Sequence, residues 1–180
     1  MLQITIPARE CFDEESQTFL YTKERTLSLE HSLVSLSKWE SKWNKAFLSD
    51  KKKTREETID YIKCMTLDKN VDPNVYSFLT PDNLEAINKY IEAPMTATTF
   101  YNEKNERRSR DTITSELIYY WMIASNIPFE CQKWHLNRLL TLIKVCQLKT
   151  TPPKKMSSGE ILRRNAELNA ARRRKLHSKG

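Results

Sequence analysis

LSLEHSLVSLSKWESKW, Leu27 to Trp43, changes its period partway along. Leu27, Leu29 and His31 share one parity, the two-residue repeat of a half-buried strand. From Ser32 onward Leu33, Leu36, Trp39 or Glu40, Trp43 and then Phe47 recur at helical spacing and fall on one face. The stretch therefore predicts a strand running directly into a first helix. Helical periods dominate the rest of the chain, which sets the fold class as α+β and mostly helical.

Upstream, Leu2, Ile4 and Ile6 alternate with Gln3 and Thr5 as a second half-buried strand. Residues Glu10 to Phe12 read as extended, and Thr18 to Thr22 as the returning arm of a hairpin across the polar DEESQ turn. The expected N-terminal unit is a small β-hairpin, or a three-stranded sheet if Leu27–His31 joins the hairpin, packed on a helical bundle.

Downstream, punctuation marks the helices. Thr54-Arg-Glu-Glu57 matches a capping box, in which a hydroxyl and a glutamate three residues later satisfy otherwise unpaired backbone donors, and predicts a helix to about Leu67. Asp72-Pro73 and Thr80-Pro81 open a short helix over Asn74–Phe78 and a longer one to Ile91, with Leu84, Ile87 and Ile91 as its buried stripe. Ala93 to Arg110 has no sustained period and ends in RRSR, which reads as a long loop. Two apolar helices come next, Thr112–Ser125 and Pro128–Leu148, the second carrying Leu136, Leu139, Leu140, Ile143 and Cys146; they are expected at the centre of the core.

Thr150-Thr-Pro-Pro153 stops that helix, because proline lacks a backbone donor and disfavours a helical predecessor. The boundary is placed there: a compact domain over 1–151, then a proline-initiated linker and a basic helical tail over 152–180. Ser157-Ser-Gly-Glu160 is a second capping box, opening a helix to about Leu176.

Composition narrows the function. With 39% hydrophobic residues in 180, one sizeable core is available and two full domains would be cramped. No apolar run approaches the ~20 residues of a membrane crossing, and the N-terminus lacks a basic segment followed by an apolar one, so no membrane association or secretion signal is expected. Gly159 and Gly180 are the only glycines, which leaves no phosphate-cradling loop and excludes P-loop and dinucleotide-binding readings. Cys11, Cys64, Cys131 and Cys146 are scattered, so no disulfide is expected.

The net charge of +7 sits in the tail: from Lys154 onward nine Lys or Arg face only Glu160 and Glu167, leaving 21 basic and 21 acidic residues before it. A neutral body has no field to steer toward nucleic acid, so nucleic-acid binding is expected to be weak and nonspecific and to act through the tail alone.

Candidate chemistry gives way to plainer readings. Cys131 and His135, four apart on a predicted helix, supply two metal ligands where zinc needs three or four. His31 with Ser32 lacks an orienting third group and oxyanion donors, and Glu14-Glu15 and Glu56-Glu57 suit solvated turns and caps. Trp39 and Trp43 among Lys38, Lys42 and Lys45 suit a base-stacking platform, but they continue the apolar stripe of Leu33, Leu36 and Phe47, which favours core packing. No catalytic, cofactor or metal residue is assigned, and no enzyme is expected.

In the tail, Ile161 and Leu168 lie seven apart on one narrow face with Leu162 beside it, before Arg172, Arg173 and Arg174. An amphipathic segment docks into a partner groove with only a few apolar anchors and a charged rim. These six are the candidate partner-binding residues.

Together, LSLEHSLVSLSKWESKW, PFECQKWHLNRLLTLIKVCQ from Pro128 and KKMSSGEILRRNAELNAARRRK from Lys154 resemble the tail assembly chaperones of long-tailed, siphovirus-type bacteriophages across nearly the whole chain. The resemblance implies a non-enzymatic factor that binds the tape measure and tail tube proteins during assembly in the host cytoplasm and is absent from the mature virion. In that family a ribosomal frameshift commonly adds a second domain to some copies. No partner-binding motif transfers residue by residue, and homo-oligomerisation stays open. Two alternatives share the composition: a structural connector or tail-completion protein that persists in the virion, and a nucleic-acid-binding accessory protein acting through the basic tail.

Overall fold

A computed structural model describes the backbone of residues 1–13, 18–49, 51–100, 112–150 and 157–176. The chain is mostly helical α+β and forms two compact units, Met1–Gln147 and Leu148–Gly180.

The strands form two antiparallel pairs, one nested inside the other along the chain. β1 (Leu2–Ile6) pairs antiparallel with β4 (Arg25–Leu29), and β2 (Arg9–Asp13) with β3 (Thr18–Thr22). The two ladders share a register, since Ile6↔Arg25 and Arg9↔Thr22 lie the same distance on along both arms. Pro7, which has no N–H to give, falls in the break between them. The hairpin is thus as read from the sequence, but the Leu27 strand pairs with β1 and not with the hairpin arms. Its far side takes a single bridge, Leu29↔Thr66, flanked by Glu30 N–H to Met65 O and Leu67 N–H to Ser28 O, both 2.9 Å.

Ile4, Ile6, Leu27 and Leu29 all point inward and are buried, while Gln3 and Thr5 face out. α1 (Leu33–Trp43) follows directly, capped by Ser32, whose side chain accepts from Ser35 N–H while Ser35 answers Ser32 N–H. Leu33, Leu36 and Trp39 are essentially fully buried, each stabilising the fold by about 2–3 kcal/mol through transfer from water. Asn44, in the left-handed conformation at φ 51°, ends α1, so Phe47 reaches the core from the following loop and stacks on Tyr61.

α2 (Arg55–Met65) begins at the Thr54/Glu57 capping box and packs on α1. A 3-10 helix over Pro73–Phe78, held by Asp72, lies against β3, and α3 (Pro81–Glu92), capped by Thr80, packs on β1. α4 (Ser115–Ala124), capped by Thr114, packs on α1. The RRSR cluster and the Pro152-Pro153 linker fall outside the described residues.

Two expectations are corrected. The helix predicted over Pro128–Leu148 is a 3-10 helix at Phe129–Lys133 followed, after an extended Trp134 at ψ 162°, by α5 (Leu136–Thr150). The break exists because His135 bridges Ser32 and Leu136 N–H donates to His31 O at 2.7 Å, a pairing that a continuous helix forbids. Nor does α4 make the centre of the core. α4 buries Ser115, Ile118 and Met122 but leaves Tyr120 and Ile123 exposed, and the densest burial runs through Leu27–Trp39.

In the second unit, α6 (Ser158–Leu176) begins as expected, with Ile161 N–H donating to Ser157 O at 3.0 Å.

Candidate functional site

α6 holds all six candidate residues on one helix, yet not on one face. Nineteen residues at 1.5 Å each give a rod of about 28 Å. At 100° per residue Ile161, Leu168 and Arg172 form one stripe, while Leu162 stands about a quarter turn away, with Leu176 between. Arg173 and Arg174 fan around the cylinder and, with Lys175, occupy the last turn, where cations complement the helix dipole. Helical geometry therefore separates the consecutive arginines that look like one patch in sequence.

Every described side chain of α6 is exposed: Ile161 and Leu168 at 45% and 46%, Leu162 and Leu176 at 70% and 73%. That leaves an apolar stripe in water beside basic groups on several sides.

The other sequence candidates are built into the core. His31 and His135, from opposite ends of the chain, meet edge to face with ring centroids 5.1 Å apart. His31 Nδ1 shares a 2.5 Å hydrogen bond with the Tyr61 hydroxyl, and His135 Nε2 donates to Tyr90 O at 3.0 Å. Burial, and then the neighbouring His135, pull His31 down to about 4, so it is neutral at physiological pH. Burial likewise lowers His135. Tyr90 donates to Glu30, which also pairs with the N-terminal amine at 2.8 Å.

Ser32 is spent as a cap, so His31-Ser32 is a structural pair. Cys131 and His135 do not share a helical face, because the 3-10 helix ends between them. Among the described residues no three His, Cys, Asp or Glu cluster as a metal would need, and Cys64 and Cys131 are free thiols.

Trp39 is buried, its indole N–H donating to Glu57 O at 2.8 Å. Trp43 is half-buried against it, with Lys42 and Lys45 both 5.6 Å from the Trp43 ring centre. Lys42 bonds Asp60, and Lys45 bonds Glu57 at 2.5 Å, so both lysines are committed within the fold. The Lys45 hydrogen bond, with that of Thr54 N–H, holds the Glu57 carboxyl below the usual carboxylate range.

Sequence reasoning missed Glu40. Buried on the stripe position it shares with Trp39, its carboxylate accepts Phe47 N–H at 2.8 Å and Ser115 N–H at 2.7 Å, tying α1 to the next loop and to the start of α4. A charge among apolar stripe positions is the one signal that points to it.

Among the described residues no helix is long and apolar enough to cross a membrane. Compared with protein-family models, curated proteins and solved structures, the chain matches none.

Proposed function

We propose that the chain is a non-enzymatic assembly chaperone of the phage tail type, engaging the tape measure and tail tube proteins through α6. The observation that carries this reading is a helix whose described side chains are all exposed, with Ile161 and Leu168 on one stripe. A short polar helix is marginal in water, and an apolar stripe stabilises it only when something covers it. A groove on an elongated helical partner supplies that cover, and the arginines around it supply a rim for acidic side chains. The same arginines fan around the rod, which suits nonspecific phosphate attraction less well than a single basic face would.

The test is co-expression of the full chain with a candidate tape measure protein, against the full-length double substitution Ile161→Asp/Leu168→Asp. Co-purification by the native chain and loss by the variant is the expected result. Equal capture by both removes α6 from the mechanism. Mass spectrometry of purified particles separates a chaperone, which is absent from them, from a connector, which stays.

A further inference from the structure

A groove lies where α2 and α3 face each other. α2 is held by α1 and α3 by β1, and between their facing sides is a depression of about 290 Å³. Its floor is Tyr61, Ile62 and Ile87, all buried, and Leu84 and Ile91 form a wall. Lys53 lines it, from the loop that enters α2.

Lys53 is half-buried, its ammonium 4.2 Å from the centre of the Phe47 ring, and among the described residues it makes no ion pair. Glu57 acts on it through space, but that carboxylate already accepts from Lys45 at 2.5 Å and from Thr54 N–H at 2.8 Å. Burial pushes the Lys53 ammonium below its ordinary value, against the opposing pull of Glu57. Lys53 also lines an adjoining cleft with Lys45, Lys51, Lys52 and Glu57.

A mostly apolar trough edged by a half-buried lysine that, among the described residues, makes no ion pair suits a ligand with an apolar body and a single anionic head. The size places it at the small end of ligand sites, enough for a chain of about eight to ten carbons and short of a membrane lipid. We propose that this groove binds a free medium-chain carboxylic acid, its chain on Ile62, Ile87 and Ile91 and its carboxylate on Lys53. The inference is independent of α6 and of any assembly partner.

Octanoate, well below its micellar range, is the probe, titrated calorimetrically into the full-length protein, with octanol and octylamine as equal-length controls. The expected result is saturable one-site binding of octanoate, about tenfold tighter than octanol, with no saturation by octylamine. Lys53→Gln brings octanoate to the octanol level and leaves octanol unchanged. Ile91→Trp, with a native circular dichroism spectrum, abolishes both; should it misfold, Lys53→Gln alone decides. Absence of saturable octanoate binding, equal affinity for octanoate and octanol, or unaltered octanoate affinity in Lys53→Gln overturns the proposal.

Discussion

The Ser32–Glu40 stretch and α6 are both helical and both apolar along one stripe, yet they behave oppositely. In α1 the stripe is buried, with α2 and α4 packed on the helix, and even its polar members have partners: Ser32 and Ser35 cap each other and Glu40 takes two backbone donors. In α6 the stripe stands in water and every described side chain is exposed. The contrast teaches that amphipathic periodicity sets which face of a helix is sticky, whereas partners decide whether that face is structural or available.

The sharpest way to break the contrast is to orphan a buried group in α1. Glu40→Ala leaves the Phe47 and Ser115 N–H groups without their acceptor and is expected to cost about 4 kcal/mol in urea unfolding, since each orphaned buried donor costs about 1–3 kcal/mol. Glu40→Gln, which keeps one acceptor oxygen, is expected to recover roughly half of that.

Next is pH. The folded state holds His31 neutral down to about 4, against 6.5 for an unperturbed histidine, so between those values the unfolded chain binds the proton that the folded chain refuses. Stability is therefore complete above about pH 6.5 and is lost progressively as pH falls toward 4, by on the order of 3 kcal/mol. His135, lowered in the same direction, adds to the slope. Unfolding midpoints between pH 7 and 4 check this, and a profile of His31→Gln as steep as the native one contradicts it.

Two smaller effects belong to α6. Gly159 lies in its first turn, and a Cβ there meets nothing within 4 Å, so Gly159→Ala is expected to stabilise the helix locally by about 0.5 kcal/mol. Slower amide exchange in residues 161–172, with no change in the midpoint of the body, is the readout. Ile161→Ser/Leu168→Ser is expected to move global stability by less than about 0.5 kcal/mol, as exposed positions do. A larger loss would mean that this stripe is structural after all, and the comparison with α1 would collapse.

Much of the architecture was legible because it is written in short-range chemistry. The Thr54 and Thr80 caps, the proline-started helices, the alternation of Ile4 and Ile6 and the period switch after His31 all depend on residues a few positions apart, and each element formed where its signal lay. The helix predicted from Pro128 failed for a long-range reason: His31 and Ser32 claim the backbone at His135 and Leu136, a bond across most of the chain that no local propensity encodes. The centrality expected of α4 failed similarly, because an apolar run reports a preference for burial and not the presence of a neighbour on every side.

By itself the sequence determined the fold class, the strand-to-helix switch, the caps at Thr54, Asp72 and Thr80 and the concentration of positive charge in the tail. It also placed Ile161 and Leu168 on one stripe, since a helix of known pitch leaves no freedom in that. Tertiary structure alone decided that β1 closes on β4, that Glu40 is a buried junction, that His31 meets His135, and that Lys53 stands over an apolar groove. These are meetings between residues distant along the chain, made when burial brings elements together, and neither composition nor period says which surfaces will meet.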